Sequence, residues 1–224
     1  MLRVSRHILF TMVFPTKTSP EAIRTAAIGV LEEEGEAALT LRRIAGILGI
    51  TPNALYRYYR SRDVLIAAVA DEVARRLLEA INKALDQLGT AQAPSAEARV
   101  RTLMQVYAEF ADTHPDLYQT LTTDRSAAEA DLPRPLGYEQ LWLRAVEVIE
   151  PLTGPANAIV AAMTLWSLLH GRWALNRANL LDGKKPRDID TFAIDAFLRG
   201  LSKPKRGPVA AKPRVHFRES TLPS

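Results

Sequence analysis

The segment from Ala37 to Arg62 constrains the fold of this 224-residue chain more than any other part of the sequence. Its 26 residues contain five arginines, three tyrosines and no acidic side chain, and Gly49 divides it into two short stretches of helical periodicity. Two short basic helices joined by a tight turn are what a helix-turn-helix needs to approach phosphate groups. The segment therefore predicts a DNA-binding surface.

Capping residues predict where the first two helices begin and end. Ser19 is an N-cap candidate followed by Pro20, which is tolerated at the first helical position because its missing N–H would have no partner there. Gly35 ends this first helix. Thr40 is the N-cap candidate of the second helix, and Gly49 is a natural left-handed residue to end it.

The third helix is predicted over Thr51–Tyr59, with Thr51 as N-cap and Pro52 at the first position. Leu55 and Tyr59 lie four residues apart, so they share one face, which we expect to be buried. Ser61 caps a fourth helix from Arg62 to about Leu88, whose apolar residues recur every four positions. The residues left on the outer face of the third helix are Asn53, Ala54, Arg57 and Tyr58.

The rest of the chain also reads as helix, and no segment alternates between apolar and polar residues as a strand would. We therefore predict an all-α fold: an N-terminal three-helix helix-turn-helix domain, joined by a long helix to a C-terminal helical bundle. The further helices are predicted at Ala96–Asp112, Pro115–Leu121, Pro135–Ile149, Pro155–Asn179 and Ile189–Leu201.

Charge is concentrated at the two ends of the chain. Residues 1–17 carry three Lys or Arg and no acid, and residues 201–224 carry six against one Glu, so the middle of the chain is net negative although the whole is +4. We predict a disordered leader at 1–17, a DNA-binding domain at 18–65, a C-terminal helical domain at 66–201, and a basic disordered tail at 202–224. A start at Met12 would remove most of the leader.

Several functional classes find no support in the sequence. There is no cysteine, so disulfides, zinc–thiolate sites and cysteine nucleophiles are excluded. The four histidines show no metal-ligand spacing, and no phosphate-binding glycine loop or nucleophile elbow is present. The apolar run Ile8–Phe14 is too short to span a bilayer. We expect a cytoplasmic, non-enzymatic protein without cofactor or metal and with no membrane partner.

Fixed spacings along residues 19–66 resemble the N-terminal domain of the TetR family of bacterial transcriptional regulators. The resemblance rests on Gly35, Leu39–Ala45, Leu48–Ile50, Leu55–Tyr59 and Ser61–Leu65. Three positions depart from the usual family pattern. Glu36 replaces an aromatic residue, Tyr58-Tyr59 replaces a common His-Phe pair, and Arg62 replaces Lys.

The resemblance implies that the third helix enters the major groove. Arg57 suits guanine O6 and N7, Asn53 suits an adenine edge, and the Ala54 methyl suits a thymine methyl. Arg42 on the second helix matches a position that can also reach a base, and Thr51 begins the reading helix. The residues matching backbone-contacting positions are Thr40, Tyr56, Tyr58 and Arg62. The alternative to DNA contact is a solvated surface charge for each arginine and a half-buried packing role for Tyr56.

The C-terminal half resembles a subgroup of TetR effector domains with a W-x-x-x-H-G pattern, here Trp166 to Gly171. Large side chains at helical spacings in this half are candidates to line an apolar ligand pocket with a polar group at His170 or a tyrosine hydroxyl. Ordinary core packing is the alternative for each. The candidate set is Met104, Tyr107, Phe110, Tyr118, Trp142, Met163, Trp166 and His170.

The last two predicted helices match the family's two-fold dimer interface, so we expect a homodimer. Two recognition helices about 34 Å apart then bind double-stranded DNA at a pseudo-palindromic operator. We predict a repressor released by a small apolar or amphipathic effector. Two alternatives stay open: an architectural or adaptor protein that keeps the helix-turn-helix without an effector, and an enzyme with a reactive pocket in the helical bundle.

Overall fold

The structure is a computed structural model that describes residues 18–89, 93–123, 128, 132 and 136–201. The predicted leader, 1–17, and the predicted tail, 202–224, lie outside the described residues. Within them the chain is all-helical, as predicted, with a short 3-10 turn at Glu36–Ala38. The helices are α1 Pro20–Glu34, α2 Leu41–Leu48, α3 Pro52–Tyr56, α4 Arg62–Gln87, α5 Ala96–Thr113, α6 Pro115–Leu121, α7 Gly137–Thr153, α8 Pro155–Arg177 and α9 Pro186–Leu201.

Three of the four predicted N-caps form side-chain hydrogen bonds. The hydroxyls of Ser19, Thr40 and Ser61 accept hydrogen bonds from the N–H three residues later, at 3.2, 3.1 and 3.2 Å. Thr51 occupies the N-cap position of α3, but its side chain forms no capping bond. Gly49 ends α2 with φ 65°, in the left-handed region.

The third helix is shorter than the prediction Thr51–Tyr59, since regular helix ends at Tyr56. The carbonyl of Leu55 accepts hydrogen bonds from the N–H groups of both Tyr58 and Tyr59, at 2.9 and 3.0 Å, which closes a turn over Arg57–Tyr59. This turn brings Tyr59 inward, where it is 5% exposed. Burial of Tyr59 and the cap of α4 at Ser61 leave no room for a further helical turn.

The predicted break after Ile149 is also wrong, because α7 continues to Thr153 with Pro151 inside it. Pro151 lies in the last turn, so its ring removes a single backbone hydrogen bond there. Gly154, with φ 72°, ends the helix, and its N–H donates to the carbonyl of Glu150 at 2.8 Å. The helix α9 begins at Pro186, three residues before the predicted Ile189.

Helix α4 belongs to two hydrophobic cores. Its first half packs with α1, α2 and α3 around Ile23, Ile44 and Leu55. Its second half, through Leu77 and Ile81, packs with α5, α7, α8 and α9. At about 1.5 Å per residue its 26 residues span roughly 39 Å, so this one helix connects the DNA-binding domain to the C-terminal bundle.

The N-terminus of α7 docks closely against α4. A Cβ atom at Gly137 would collide with the backbone oxygen of Asp71 and with the side chain of Arg75. The N–H of Gly137 donates to the carboxylate of Asp71, and Arg75 donates to Gln140 at 3.1 Å. Glycine at position 137 therefore permits the close approach of these two helices.

By length and composition, α8 could cross a membrane. It packs instead against α5, α7 and α9 as a helix of the bundle. It also carries the buried Arg172, whose guanidinium binds Asp112 on α5 and Asp190 on α9, the latter at 2.8 Å. Burial raises the pKa of the Asp190 carboxyl, against the opposing effect of its bond to Arg172. One side of α8 is therefore packed within the bundle.

Replacing Gly49 with Ala should destabilise the protein by about 1 kcal/mol, because the left-handed conformation is strained for a residue with a Cβ. Gly46 is the matched control, since it lies in α2 and a Cβ there would meet no atom within 4 Å. Gly46→Ala should be neutral or stabilise by up to about 1 kcal/mol. Denaturant unfolding of both variants measures the difference. Equal effects would contradict the assigned role of Gly49.

Replacing Arg172 with Ala should cost about 3 kcal/mol or more, because it leaves the buried Asp190 without its partner. Arg177 is the control on the same helix, since its pair with Asp116 is 3.4 Å long and its side chain is 46% exposed. Arg177→Ala should cost less than about 1 kcal/mol. Chemical denaturation of the two variants provides the comparison, and similar losses would show that the buried network adds no stability.

Candidate nucleic-acid interface

The sequence of α3 separates buried from exposed side chains across one short helix. Leu55 is fully buried and Tyr59 is 5% exposed, and both pack in the core shared with α1 and α4. The side chains of Asn53, Tyr56 and Arg57 face solvent, and Ala54 is half-buried. The predicted separation of buried Leu55 and Tyr59 from exposed Asn53 and Arg57 is confirmed, although Arg57 and Tyr59 lie in the turn after α3 rather than on the helix.

Arg62 fixes the start of α4 to the segment that precedes α2. Its guanidinium donates to the carbonyls of Leu39 at 2.8 Å and Glu36 at 2.7 Å. Its Nη2 also lies 3.8 Å from the carboxylate of Glu36. Glu36, one of the departures from the family pattern, thus contributes both a carbonyl and a charge to holding Arg62. The side chain of Arg62 remains 39% exposed.

Two tyrosine hydroxyls join α3 and its following turn to the start of α1. Tyr58, which is 43% exposed, donates to the backbone oxygen of Thr18 at 3.0 Å. Tyr59 contacts the backbone oxygen of Pro20 at 3.5 Å. Burial raises the pKa of the Tyr59 phenol, so this group stays protonated as a donor. Tyr58 and Tyr59 thereby hold the turn after α3 against the start of α1.

The acidic end of α1 is used in contacts within the protein. Glu34 binds Arg43 through two guanidinium nitrogens, at 2.6 and 3.1 Å, and so holds this arginine at the acidic end of α1. Glu32 lies 2.9 Å from Nδ1 of His114, the residue before α6. Arg42, next to Arg43, is exposed and forms no ion pair with another described residue. Of these two arginines, Arg42 is the one available to an external anion.

The nine predicted DNA-contacting residues all lie on α2, α3, the adjoining turns or the first position of α4. Ala54 and Arg62 are partly buried. The other seven are exposed: Thr40, Arg42, Thr51, Asn53, Tyr56, Arg57 and Tyr58. Sequence reasoning missed the internal bonds of Tyr58 and Arg62, because their partners are backbone oxygens 40 and 23 or more residues away in the chain.

A second candidate site is an apolar cavity of about 50 Å³ in the C-terminal bundle. It lies between α4, α5, α7 and α8. The described residues that line it are all uncharged: Ile81, Leu103, Tyr107, Tyr138, Leu141, Trp142, Ala145, Ile149, Ala162, Leu165, Trp166 and Leu169. Among the described residues no group of three or more His, Asp or Glu side chains is placed to bind a metal.

Three of the eight predicted pocket residues, Tyr107, Trp142 and Trp166, line this cavity. Met163 does not line this cavity, and its side chain is 46% exposed. The remaining four do not line the cavity either: Met104 is buried in the core of the bundle, Phe110 packs between the cores, and Tyr118 and His170 lie behind Tyr107. The sequence predicted none of the aliphatic residues that line the cavity, because their pattern along the helices is the same as that of ordinary core residues.

A chain of hydrogen bonds runs from the cavity wall into α6. The indole N–H of Trp166 donates to the hydroxyl of Tyr107 at 2.8 Å, and Tyr107 bonds the hydroxyl of Tyr118 at 3.3 Å. Tyr118 in turn lies 3.2 Å from Nδ1 of His170. Burial raises the pKa of Tyr107 well above its usual value, raises that of Tyr118 to about 12, and lowers that of His170. All members of the chain are therefore uncharged at neutral pH.

A larger cleft of about 680 Å³ opens between α1, the end of α3 and α4. Its lining includes the charged side chains of Arg24, Arg57, Asp71, Glu72 and Arg75. A cleft with charged walls next to solvent retains apolar molecules poorly. The smaller cavity in the bundle is therefore the better candidate for an apolar ligand, despite its size.

The chain is similar to known regulators along most of its length. An uncharacterized HTH-type transcriptional regulator of Mycobacterium tuberculosis, Rv0681, is 29% identical over 184 residues, which cover 80% of this chain and 78% of the relative. Two solved structures share the fold. BioQ, solved with its double-stranded DNA operator, has 20% identity and a TM-score of 0.57, covering 83% of this chain and 98% of that chain.

The other solved structure is a TetR variant from Acinetobacter baumannii in complex with minocycline. It has 17% identity and a TM-score of 0.59, covering 82% of this chain and 96% of that chain. Residues 23–69 match the family model described as bacterial regulatory proteins, tetR family, and residues 100–198 match the model described as tetracyclin repressor-like, C-terminal domain. The chain therefore belongs to the TetR family of non-enzymatic, DNA-binding transcriptional regulators, with a helix-turn-helix domain followed by a TetR-type C-terminal domain.

Proposed function

We propose that this regulator is a cytoplasmic repressor that binds a pseudo-palindromic operator as a homodimer and is released by a small molecule held in the C-terminal bundle. The observation that carries the proposal is the division of α3, whose inner face is fixed by Leu55 and Tyr59 while Asn53 and Arg57 face solvent. BioQ, which shares the fold, has been solved with its DNA operator.

The outer face of α3 carries the side chains that the major groove requires. In the proposed complex Arg57 donates two hydrogen bonds to a guanine, Asn53 pairs with an adenine edge, and the methyl of Ala54 meets a thymine methyl. Arg42 reaches a further base from α2. Thr40, Thr51 and Tyr56 set the register through phosphate and sugar contacts, which carry no sequence information by themselves. Tyr58 contributes its exposed ring to this surface, because its hydroxyl already donates to the backbone oxygen of Thr18.

Arg62 has a structural role in this proposal, unlike the DNA-contacting residues of α2 and α3. Two of its guanidinium nitrogens already bond protein carbonyls, so its main effect on DNA binding is to hold α4 against the segment before α2. Its exposed remainder still adds positive potential near the phosphates. Loss of Arg62 would therefore weaken binding to every sequence alike.

The outer surfaces of α8 and α9 support the proposed homodimer. They expose large apolar side chains, with Phe192 71%, Val160 52%, Leu175 47%, Met163 46% and Leu168 42% exposed. Exposed apolar side chains concentrated on two packed helices indicate an interaction surface. A C2 dimer formed there would present two recognition helices to one face of the duplex.

Release by an effector requires a mechanical connection between the bundle and α3. Helix α4 lines the cavity through Ile81 and begins at Arg62, directly after the turn that follows α3. A ligand that favours the non-binding arrangement by about 1 to 3 kcal/mol would lower operator affinity 5- to 150-fold. The alternative is an architectural or adaptor protein with the same helix-turn-helix and no effector, which the cavity in the bundle disfavours.

Operator selection from a random duplex library tests the DNA-reading face. On the selected operator, Arg57→Ala and Asn53→Ala should each cost about 1 to 3 kcal/mol and relax preference at particular base pairs. Arg43→Ala is the matched control, because Glu34 already holds that side chain. Arg62→Ala should weaken binding to all duplexes equally and lower the melting temperature. If the Arg57 and Arg62 variants lose the same affinity on all duplexes, the assigned roles are refuted. If the selection enriches no sequence, the existence of a specific operator is refuted.

Replacing Phe192 with Glu should disrupt the dimer, because a buried carboxylate at a two-fold interface has no counter-charge. Leu143→Glu is the control, since Leu143 is 66% exposed on α7 rather than on α8 or α9. Sedimentation velocity should show a monomer for the first variant and a dimer for the second, with at least about tenfold weaker operator binding by the monomer. A dimeric Phe192→Glu variant would place the interface elsewhere.

A further inference from the structure

We propose that the cavity in the C-terminal bundle takes an uncharged molecule of about one ring that carries a single hydroxyl group, bound at the hydroxyl of Tyr107. The inference rests on the proposed ligand-binding role of this bundle and names the chemical class of its ligand. It follows from three properties of the cavity: its size, its uncharged walls and the hydrogen-bond chain at its one polar end.

The cavity volume limits the ligand to a small molecule. At about 50 Å³ it is well below the 300 to 1,000 Å³ of pockets that hold drug-sized ligands. An apolar cavity of about 150 Å³ is sufficient for benzene. A single ring therefore requires the cavity to enlarge about threefold. Tyr138 on α7, which is 40% exposed, is the lining side chain whose outward movement loses least burial.

The walls of the cavity disfavour a charged ligand. Its described lining is aliphatic and aromatic, with no Asp, Glu, Lys, Arg or His side chain. Arg172 follows the W-x-x-x-H-G stretch on α8 but is bound to Asp112 and Asp190. A carboxylate or ammonium group in the cavity would lose its hydration without gaining a counter-ion.

The hydrogen bond between Trp166 and Tyr107, in the wall of the otherwise apolar cavity, suits a hydroxyl group. Trp166 donates to Tyr107 across 2.8 Å, and a ligand hydroxyl inserted between them can accept from the indole N–H and donate to the phenol oxygen. The bond between Tyr118 and His170 can run in either direction with the histidine tautomer, so the chain adapts to a donor or an acceptor. The site therefore discriminates against charge and against ligands with no polar group.

The same hydrogen-bond chain connects the ligand to the DNA-binding domain. Tyr118 lies on α6, and His114 at the start of α6 is 2.9 Å from Glu32 on α1. A ligand that displaces Tyr107 weakens its 3.3 Å bond to Tyr118 and frees α6 to shift against α1 and α4. Occupancy of a small cavity is in this way coupled to the position of the recognition helix.

Three ring compounds of similar size test the inference on the full-length protein: benzyl alcohol, toluene and benzoate. By calorimetric titration, benzyl alcohol should bind at least about tenfold more tightly than benzoate, because only benzoate buries a charge. It should also bind more tightly than toluene. Tyr107→Phe should remove the advantage over toluene, since the variant keeps the ring and loses the hydroxyl.

Ala162→Leu tests the location of the site by filling the cavity, and it should abolish binding of all three compounds. Ala80→Leu is the matched control, because Ala80 is exposed on α4, beside the lining residue Ile81 and outside the proposed dimer surface. Circular dichroism and operator binding confirm that each variant is folded. Three results would each overturn the inference. Benzoate could bind as tightly as benzyl alcohol, or benzyl alcohol could fail to bind the wild type. The third is full affinity of benzyl alcohol for Tyr107→Phe or Ala162→Leu.

Operator binding measured by fluorescence anisotropy separates this inference from the proposed repressor function. Benzyl alcohol that binds through Tyr107 but leaves the operator complex intact would support the ligand class and contradict release by that site. Release by another compound that needs neither Tyr107 nor the cavity would support the repressor function and contradict the ligand class. Release by benzyl alcohol that is lost in Tyr107→Phe supports both.

Discussion

The architecture depends on the burial of one long helix in two separate cores. The first half of α4 completes the core that fixes Leu55 of α3, and its second half forms a wall of the bundle cavity through Ile81. Side chains in close-packed cores have discrete rather than continuous arrangements. A change in the bundle that moves α4 must therefore move the base of α3 as well, and this is the physical basis of the proposed release from DNA by a ligand.

Contacts between the two domains add a second connection beside α4. Leu117 of α6 is buried in the N-terminal core, and His114 meets Glu32 at the acidic end of α1. Two carboxylates in the run of glutamates there bind partners within the protein: Glu34 binds Arg43 on α2, and Glu32 binds His114 before α6. The acidic end of α1 thus connects α1 both to α2 and to the C-terminal domain.

Local rules were sufficient for most of the fold and for the outer face of α3. The caps at Ser19, Thr40 and Ser61 and the left-handed Gly49 were predictable because each depends on residues within four positions. The end of α3 and the passage of α7 through Pro151 were not, since distant packing decided them. Among the pocket candidates, helical spacing could not tell Trp166, which lines the cavity, from Met163, which faces solvent, because both lie on one apolar helix.

The sequence by itself determined the all-helical fold, the helix-turn-helix and which face of α3 is buried, because helical periodicity, capping and turn chemistry act over a few residues. The tertiary structure alone decided that Arg62 and Tyr58 bond distant backbone oxygens, that Arg172 joins α5, α8 and α9, and where the cavity lies. The bonds of these three side chains join residues 18 to 60 positions apart, and such pairings are set by how helices pack rather than by any pattern along the chain.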